Sequence, residues 1–292
     1  MNIEHLLKEE NKELARKWAA APASSKEKNS GLLGSLEMKK GGFWNRQKGK
    51  PAPVPALIDD VTPDYTQNAI SAANDISSTL DKAWTDSKNN TDNAKEHAAV
   101  VIKRGDNYVT SKVKEYKEGS SSPKVKDKDL QNGDVRAGEF HTHPYSTDAL
   151  AKVTGAYNWD GKGTGPSGED FTGPAYAGVK DGYFSIVESG STRSIIVVED
   201  AKKYRNAFRH DNGTTVTDEA PTINGAIEDA ITNLDNMERN PNAKNPKKYE
   251  DVYWIGLLKG LEEVKRKAGG ETGLKLLRSK ATDKSAYDTI FP

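Results

Sequence analysis

The chain has 292 residues, enough for one main domain with extensions, and it contains no cysteine. Disulfides, thiolate zinc sites, iron–sulfur clusters and cysteine nucleophiles are therefore excluded, and any transition-metal site must use His, Asp and Glu. The 43 basic and 43 acidic residues cancel, so no overall field favours nucleic acid or an anionic membrane as a partner. The charged N-terminus lacks the apolar run of a secretory signal, and no apolar run is long enough to span a bilayer. We therefore expect a cytoplasmic location in the producing cell, with any export through a specialised secretion system.

Residues 1–60 are predicted to form an N-terminal helix followed by a flexible linker. Apolar residues between Ile3 and Trp18 recur near helical spacing, whereas residues 20–55 are rich in Ala, Ser, Gly, Lys and Pro. A tether is the simplest interpretation, because this composition can bury little apolar surface. The alternative is a docking or delivery segment in which Phe43 and Trp44 act as anchors.

Residues 61–210 contain the patterns of a folded domain with both helices and strands. Helical spacing covers residues 65–87, and a hairpin around Gly105 is predicted for residues 96–116. A strand ends at Pro144, a glycine-rich loop covers residues 145–166, and a second hairpin and a short helix cover residues 182–208. We expect an α+β fold with a mixed, largely antiparallel sheet flanked by helices.

Residues 211–292 are predicted to be a helical C-terminal extension. The segments "INGAIEDAITNLDNME" and "YEDVYWIGLLKGLEEVKRKA" both have helical periodicity and end near Asn-Pro or Gly-Gly breakers.

The stretch "EFHTHPYS" contains two of the five histidines, His141 and His143, separated by one residue. On a strand their side chains point to the same side while Thr142 points to the core, so both imidazoles can bind one ion. This geometry suits zinc, although a pair of surface or hydrogen-bonded histidines would give the same pattern. The pair alone is therefore a weak signal.

A second polar pair follows in "GPSGEDF", where Ser167 and Asp170 are three residues apart. On the first turn of a helix these two side chains share a face. Ser167 also has the simpler interpretation of a helix cap, and Asp170 that of an acidic residue favoured by the helix dipole.

Together these residues resemble the JAB/MPN metallopeptidase family, whose JAMM motif is an upstream glutamate, then His-x-His-Pro, then Ser-x-x-Asp. Residues 141–144 and 167–170 match the two later blocks, and the likeness covers roughly residues 61–210. The resemblance implies that His141, His143 and Asp170 bind Zn²⁺. It also implies that Glu96, at the start of an earlier strand, acts as the base and that Ser167 stabilises the reacting oxygen.

One feature departs from the family pattern, and the base has an alternative. The spacer between Pro144 and Ser167 has 22 residues, longer than usual in the family, and it contains Ser146 and Asp148 as a nearer pair. We favour Asp170, because Asp148 follows Pro144 too closely to fold back easily onto the metal. Glu139 shares the strand face of His141 and is an alternative to Glu96, but we expect it to support a ligand or to lie exposed.

The resemblance implies zinc-dependent cleavage of a peptide or isopeptide bond in a peptide or protein substrate. It is closest to JAB-like domains of bacterial polymorphic toxins, which implies an effector with an immunity or delivery protein as partner. A catalytically silent scaffold of the same family is the main alternative. A metal-dependent amidohydrolase barrel also uses His-x-His on a strand, but its first-strand pair and later histidines match this chain poorly.

Overall fold

The computed structural model describes residues 63–88, 91, 93–116, 130–144, 165–190, 192–211, 216–238, 249–280 and 282–292. All of these residues belong to one compact unit, Asp60–Pro292. The expected tether and most of the 145–166 loop, including Ser146 and Asp148, lie outside the described residues. No helix in the described ranges is long and apolar enough to span a membrane.

The described residues form six helices and ten strands. The helices are α1 (Tyr65–Asp75), α2 (Ser77–Asp86), α3 (Gly168–Ala177), α4 (Ala201–Phe208), α5 (Ala220–Glu238) and α6 (Tyr249–Lys267). The strands are β1 (Glu96–Arg104), β2 (Asn107–Thr110), β3 (Lys114–Tyr116), β4 (Val135–Thr142), β5 (Phe184–Glu188), β6 (Arg193–Val198), β7 (Arg209–Asp211), β8 (Val216–Asp218), β9 (Leu274–Lys280) and β10 (Asp283–Phe291).

Eight strands form one mixed sheet in the order β10-β9-β6-β5-β4-β1-β2, and β3 also pairs with β1. Only β4 and β5 are parallel among these pairs. The prediction of an α+β fold with a mixed, largely antiparallel sheet is therefore confirmed. A metal-dependent amidohydrolase barrel is excluded, because that fold requires eight parallel strands closed into a ring.

The predicted hairpins and helices of the central segment are present. β1 and β2 turn at Gly105, β5 pairs with β6, and the short helix at residues 201–208 is α4. The helical segment that starts at Tyr65 is divided into α1 and α2 at Ile76.

Two hydrophobic cores cover the two faces of the sheet. Ile195 and Val197 of β6 pack with α1 and α2, whereas Ile196 and Val198 pack with α3, α4, α5 and α6. We call these surfaces the α1–α2 face and the α3–α6 face. This alternation follows from the two-residue period of a strand. Both faces are covered, so the last four residues of β6, 195–198, are all apolar.

The prediction that residues 211–292 form a helical extension needs correction, because this segment also contributes two strands to the main sheet. α5 and α6 are present, but β9 and β10 add two strands, and β9 pairs directly with β6. Leu276 faces the same core as α5 and α6, whereas Leu277 faces the core of α1 and α2. The hairpin was missed because Lys275 and Arg278 interrupt its apolar residues, so its sequence shows no simple alternation.

A buried ion pair ties α2 and β10 to the sheet. Arg193, which is 1% exposed, donates to the Glu188 carboxylate at 2.5 Å, and Glu188 is 0% exposed. Arg193 also donates to Asp81 of α2 at 2.7 Å, and Lys284 of β10 donates to Glu188 at 3.0 Å. A buried charge is tolerated only when such partners compensate for its lost hydration.

Replacement of Arg193 by Met should therefore lower the free energy of unfolding by about 3–5 kcal/mol, because Glu188 loses its main partner inside the protein. Chemical denaturation at neutral pH measures this change. Lys82→Gln is the matched control, because it removes an exposed ion pair with Asp86 on the same helix and should have no measurable effect. An equally small loss in both variants would contradict the prediction.

Candidate metal centre

The side-chain alternation of β4 turns His141 towards the α3–α6 face. Phe140 packs in the core of the α1–α2 face, and Thr142 accepts a hydrogen bond on its hydroxyl from the His97 backbone at 2.9 Å. His141 lies between these two residues and so points the other way. His143 follows the end of β4, and its backbone N–H donates to the Glu188 carbonyl at 3.0 Å. This bond continues the pairing with β5, so both imidazoles face the same side.

Asp170 reaches the histidines from the first turn of α3. Its carboxylate accepts hydrogen bonds from the Ser167 backbone N–H at 2.7 Å and from the Ser167 hydroxyl at 3.1 Å. The start of the helix is clamped against α5, where the Gly168 N–H donates to the Asn224 side chain at 2.8 Å. A Cβ on Gly168 would lie 2.5 Å from the Ala220 carbonyl oxygen, so only glycine allows this approach. The helix start is thereby fixed above β4.

The three side chains converge on one point. The Nε2 atoms of His141 and His143 are 3.0 Å apart. The His141 Nε2 lies 2.9 Å from Oδ1 of Asp170, and the His143 Nε2 lies 3.4 Å from Oδ2 of the same carboxylate. Tetrahedral zinc with bonds of about 2.05 Å separates its ligand atoms by about 3.3 Å. The observed separations are within about 0.4 Å of that value, so the three side chains are close enough together to hold a metal ion. Within the described part of the chain, these residues are the one set of three that could hold a metal ion.

The His143 ring is oriented by a hydrogen bond at Nδ1, the ring nitrogen that does not face His141. Its Nδ1 lies 3.0 Å from the Gly165 carbonyl oxygen, which can only accept, so Nδ1 carries the proton and Nε2 of the neutral ring presents a lone pair. Metal-binding histidines are usually oriented in this way. Gly165 is itself held by α6, because the Tyr253 hydroxyl donates to its carbonyl at 3.2 Å.

Glu96 lies beside the two histidines on the neighbouring strand. β1 and β4 are antiparallel with Ala98 opposite His141, and continuing this register by two residues places Glu96 opposite His143. Directly opposite residues share a sheet face, so Glu96 points to the metal centre. Glu96 is 5% exposed, and its charge is one of those that raise the pKa of His141. The small side chain of Ala98 leaves room for the ring opposite it.

Glu139 lies two residues before His141 on the same face of β4. It is partly buried and accepts a hydrogen bond from the Tyr183 hydroxyl. Burial is the main reason that its pKa is raised, and the nearby His141 charge and the Tyr183 bond oppose that rise. The structure therefore pairs this carboxylate with Tyr183.

The other histidines stand apart from the centre. His97 points to the opposite face from Glu96, as strand alternation predicts, and its Nδ1 lies 3.3 Å from the Lys95 carbonyl. His210 contacts Glu219 at 2.7 Å near the start of α5. His5 lies outside the described residues.

The charges of the site depend on one another. Burial alone would lower the pKa of His141, but Asp170, with Glu96 and Glu139, outweighs burial and raises that pKa to about 9. Burial alone would likewise raise the pKa of Asp170, but His143, His141 and the Ser167 N–H hold it well below its ordinary value. The carboxylates around His141 therefore favour a positive charge on this ring.

The sequence did not indicate the support from α6 for this site. Gly165 belongs to a glycine-rich stretch, and Tyr253 and Trp254 lie about ninety residues later in a helix that was assigned to an extension. The aromatic pair at the start of α6 was a possible signal, but nothing in its periodicity connects it to the histidines.

No protein-family model matches the chain, and comparison with curated proteins and with solved structures also gave no match. The resemblance to JAB/MPN enzymes therefore remains a prediction from the motif residues.

The metal-free protein should lose stability as the pH rises from 6.5 towards 9. The folded-state pKa of His141 is raised from 6.5 to about 9, so its stabilisation is fully present below pH 6.5 and disappears as the folded form loses its proton. Urea unfolding in the presence of a chelator, repeated across this range, measures the effect.

Asp170→Asn is the matched variant for this measurement, because it removes the carboxylate that contributes most to the raised pKa. Its pH dependence over the same range should be clearly flatter. Identical profiles for the two proteins would show that His141 and Asp170 are not coupled.

Proposed function

We propose that the chain is a zinc-dependent hydrolase that cleaves a peptide or isopeptide bond, with a site of the JAB/MPN type. One observation carries this proposal: His141, His143 and Asp170, from two separate segments, offer ligand atoms within 4.8 Å of one another. Two imidazoles and one carboxylate leave a fourth tetrahedral position open, as catalytic rather than structural zinc sites do.

Zinc held by these residues would supply a Lewis acid that polarises the substrate carbonyl and makes the attacking water more acidic. The rest of the chemistry is assigned to side chains of the chain. Glu96 takes a proton from the attacking water as the new C–O bond forms at the carbonyl carbon. It then delivers that proton to the nitrogen of the leaving amine as the C–N bond breaks.

Ser167 has two roles in this scheme. Its hydroxyl donates to Asp170 at 3.1 Å, which holds the carboxylate against the histidines. Rotation of the same hydroxyl would let it donate to the oxygen of the tetrahedral intermediate, an interaction worth about 2.7–4 kcal/mol in comparable sites. Ser167 thus positions a ligand before the reaction and stabilises negative charge during it.

The effector role belongs to the same proposal. The motif resembles the JAB-like domains of bacterial polymorphic toxins, which implies a peptide or protein target and an immunity protein that blocks the site. The 145–166 loop and residues 1–60 are the segments we assign to substrate access and to docking or delivery.

The purified chain should bind one zinc ion, and His141→Ala should lose it, because two remaining ligands cannot hold the metal tightly. Elemental analysis after dialysis against trace zinc measures the stoichiometry. His97→Ala is the matched control, since His97 lies on the opposite face of the sheet, and it should keep the ion. The absence of stoichiometric zinc in the unmodified chain would favour the scaffold alternative.

Glu96→Gln should keep zinc and fold but lower turnover by about 10²–10⁴-fold, because the glutamine amide cannot accept the proton of the attacking water. Mass spectrometry of new amino termini, in a target-cell proteome and in a cell-wall digest, measures cleavage.

Glu139→Gln separates the two candidate bases in the same assay. If Glu96 is the base, the Glu139 variant should retain most of its activity. Full activity of Glu96→Gln together with loss in Glu139→Gln would transfer the role to Glu139.

A further inference from the structure

The turn of α3 that carries Asp170 is weakened by a proline in the same helix. Pro174 lies four residues after Asp170 and is buried inside α3. In a regular helix the N–H at this position would donate to the Asp170 carbonyl, but proline has no N–H and its ring crowds that carbonyl. The position of the Asp170 carboxylate therefore depends strongly on contacts from outside the helix.

Tyr204 of α4 supplies such a contact. Its hydroxyl donates a hydrogen bond to the backbone carbonyl of Phe171, the residue that follows Asp170. Tyr204 and Phe171 are both 0% exposed. Movement of the first turn of α3 would break this bond inside the protein, where water cannot easily replace it.

The Tyr204 side chain is itself held firmly in place. Its ring lies 4.8 Å from the Phe208 ring, and Phe208 stacks on Phe171 with the ring centroids 6.1 Å apart. The Tyr204 backbone N–H donates to the Asp200 carbonyl at 2.9 Å, and the Asp200 side chain caps the start of α4. The hydroxyl therefore reaches α3 from a rigid helix.

The Tyr204 hydroxyl lies close to the carboxylates of the candidate metal centre. Burial is the main reason that its pKa is raised well above the ordinary value, and the charges of Asp170 and Glu139 raise it further. The hydroxyl therefore keeps its proton. That single proton is donated to the Phe171 carbonyl, so Tyr204 acts on Asp170 through the backbone.

We propose that Tyr204 is a positioning residue of the metal centre, whose hydroxyl holds the first turn of α3 so that Asp170 meets His141 and His143. The inference rests on the proposed function, because it concerns the same metal centre. Metal binding tolerates only small deviations in the distances between an ion and its ligands, so a displaced carboxylate costs affinity.

Tyr204→Phe tests this role, because it removes the hydroxyl and keeps the ring packing. The affinity of the full chain for zinc should fall by about tenfold, since groups that orient metal ligands typically contribute 10–100-fold. Competition with a chromophoric zinc chelator measures the dissociation constant.

Cobalt(II) gives a spectroscopic test of the same variant. Its visible absorption is stronger in a tetrahedral site than in an octahedral site, so the spectrum reports the coordination geometry. The absorption of the cobalt-loaded Tyr204→Phe chain should be weaker, because water replaces a carboxylate that is no longer held against the histidines.

Ile195→Val is the control for lost stability. Ile195 is 0% exposed in the core of the α1–α2 face, away from the metal centre. Loss of one buried methylene and loss of one buried hydrogen bond should lower the urea midpoint of the metal-free chain by similar amounts. Ile195→Val should nevertheless keep the zinc affinity and the cobalt spectrum of the unmodified chain.

Pro174→Ala gives a rescue experiment and a second variant if Tyr204→Phe folds poorly. The alanine supplies an N–H for the Asp170 carbonyl, so the double variant should recover part of the zinc affinity that Tyr204→Phe loses. Recovery of stability without recovery of zinc affinity would contradict the positioning role.

Unchanged zinc affinity in Tyr204→Phe, or an equal loss in Ile195→Val, would overturn the proposal. Zinc binding that depends on Tyr204, in a chain that cleaves no peptide, would refute the proposed hydrolase and leave the positioning role standing. Zinc-dependent cleavage with an affinity independent of Tyr204 would do the reverse. An unmodified chain that binds no zinc would refute both.

Discussion

The alternation of side chains along β4 is the constraint on which the site depends. Phe140 and Thr142 are buried on the α1–α2 face, so His141 must face the other side, and the bond from the His143 backbone to Glu188 continues this arrangement beyond the strand. A shift of register by one residue would exchange the faces and bury both imidazoles among α1 and α2. Gly138 helps to prevent this shift, because β4 approaches β5 so closely there that a Cβ would lie 2.2 Å from the Phe184 carbonyl oxygen.

The helices of the C-terminal segment complete the site. Asp170 reaches the histidines only because the start of α3 is clamped against α5, and His143 is oriented through a carbonyl that α6 holds. β9 then extends the floor of the same face as far as Arg278. α5, α6 and β9 therefore belong to the core and to the surroundings of the candidate metal centre.

The sequence predicted the fold class and the cluster of His141, His143 and Asp170. It did not predict the contacts through which later parts of the chain support that cluster. His141 and His143 follow from the two-residue period of a strand, and Asp170 follows from the motif, so proximity was expected once both were assigned. The β9–β10 hairpin was missed because its lysines and arginine mask the alternation of Leu276 and Leu277, which face different cores. The contact of Gly165 with Tyr253 and Trp254 joins positions about ninety residues apart, and no local pattern encodes such a contact.

The electrostatics of the cluster favour positive charge at the site. Three carboxylates, those of Glu96, Glu139 and Asp170, act on His141, and together they keep a proton on that ring against the cost of burial. A proton supplies one positive charge at one nitrogen, whereas a dication supplies two and can be shared among all the ligand atoms. The metal would displace the proton, because a ligating imidazole must be neutral. The same carboxylates that hold the proton on His141 would attract a dication more strongly, and that attraction would offset the cost of removing the proton.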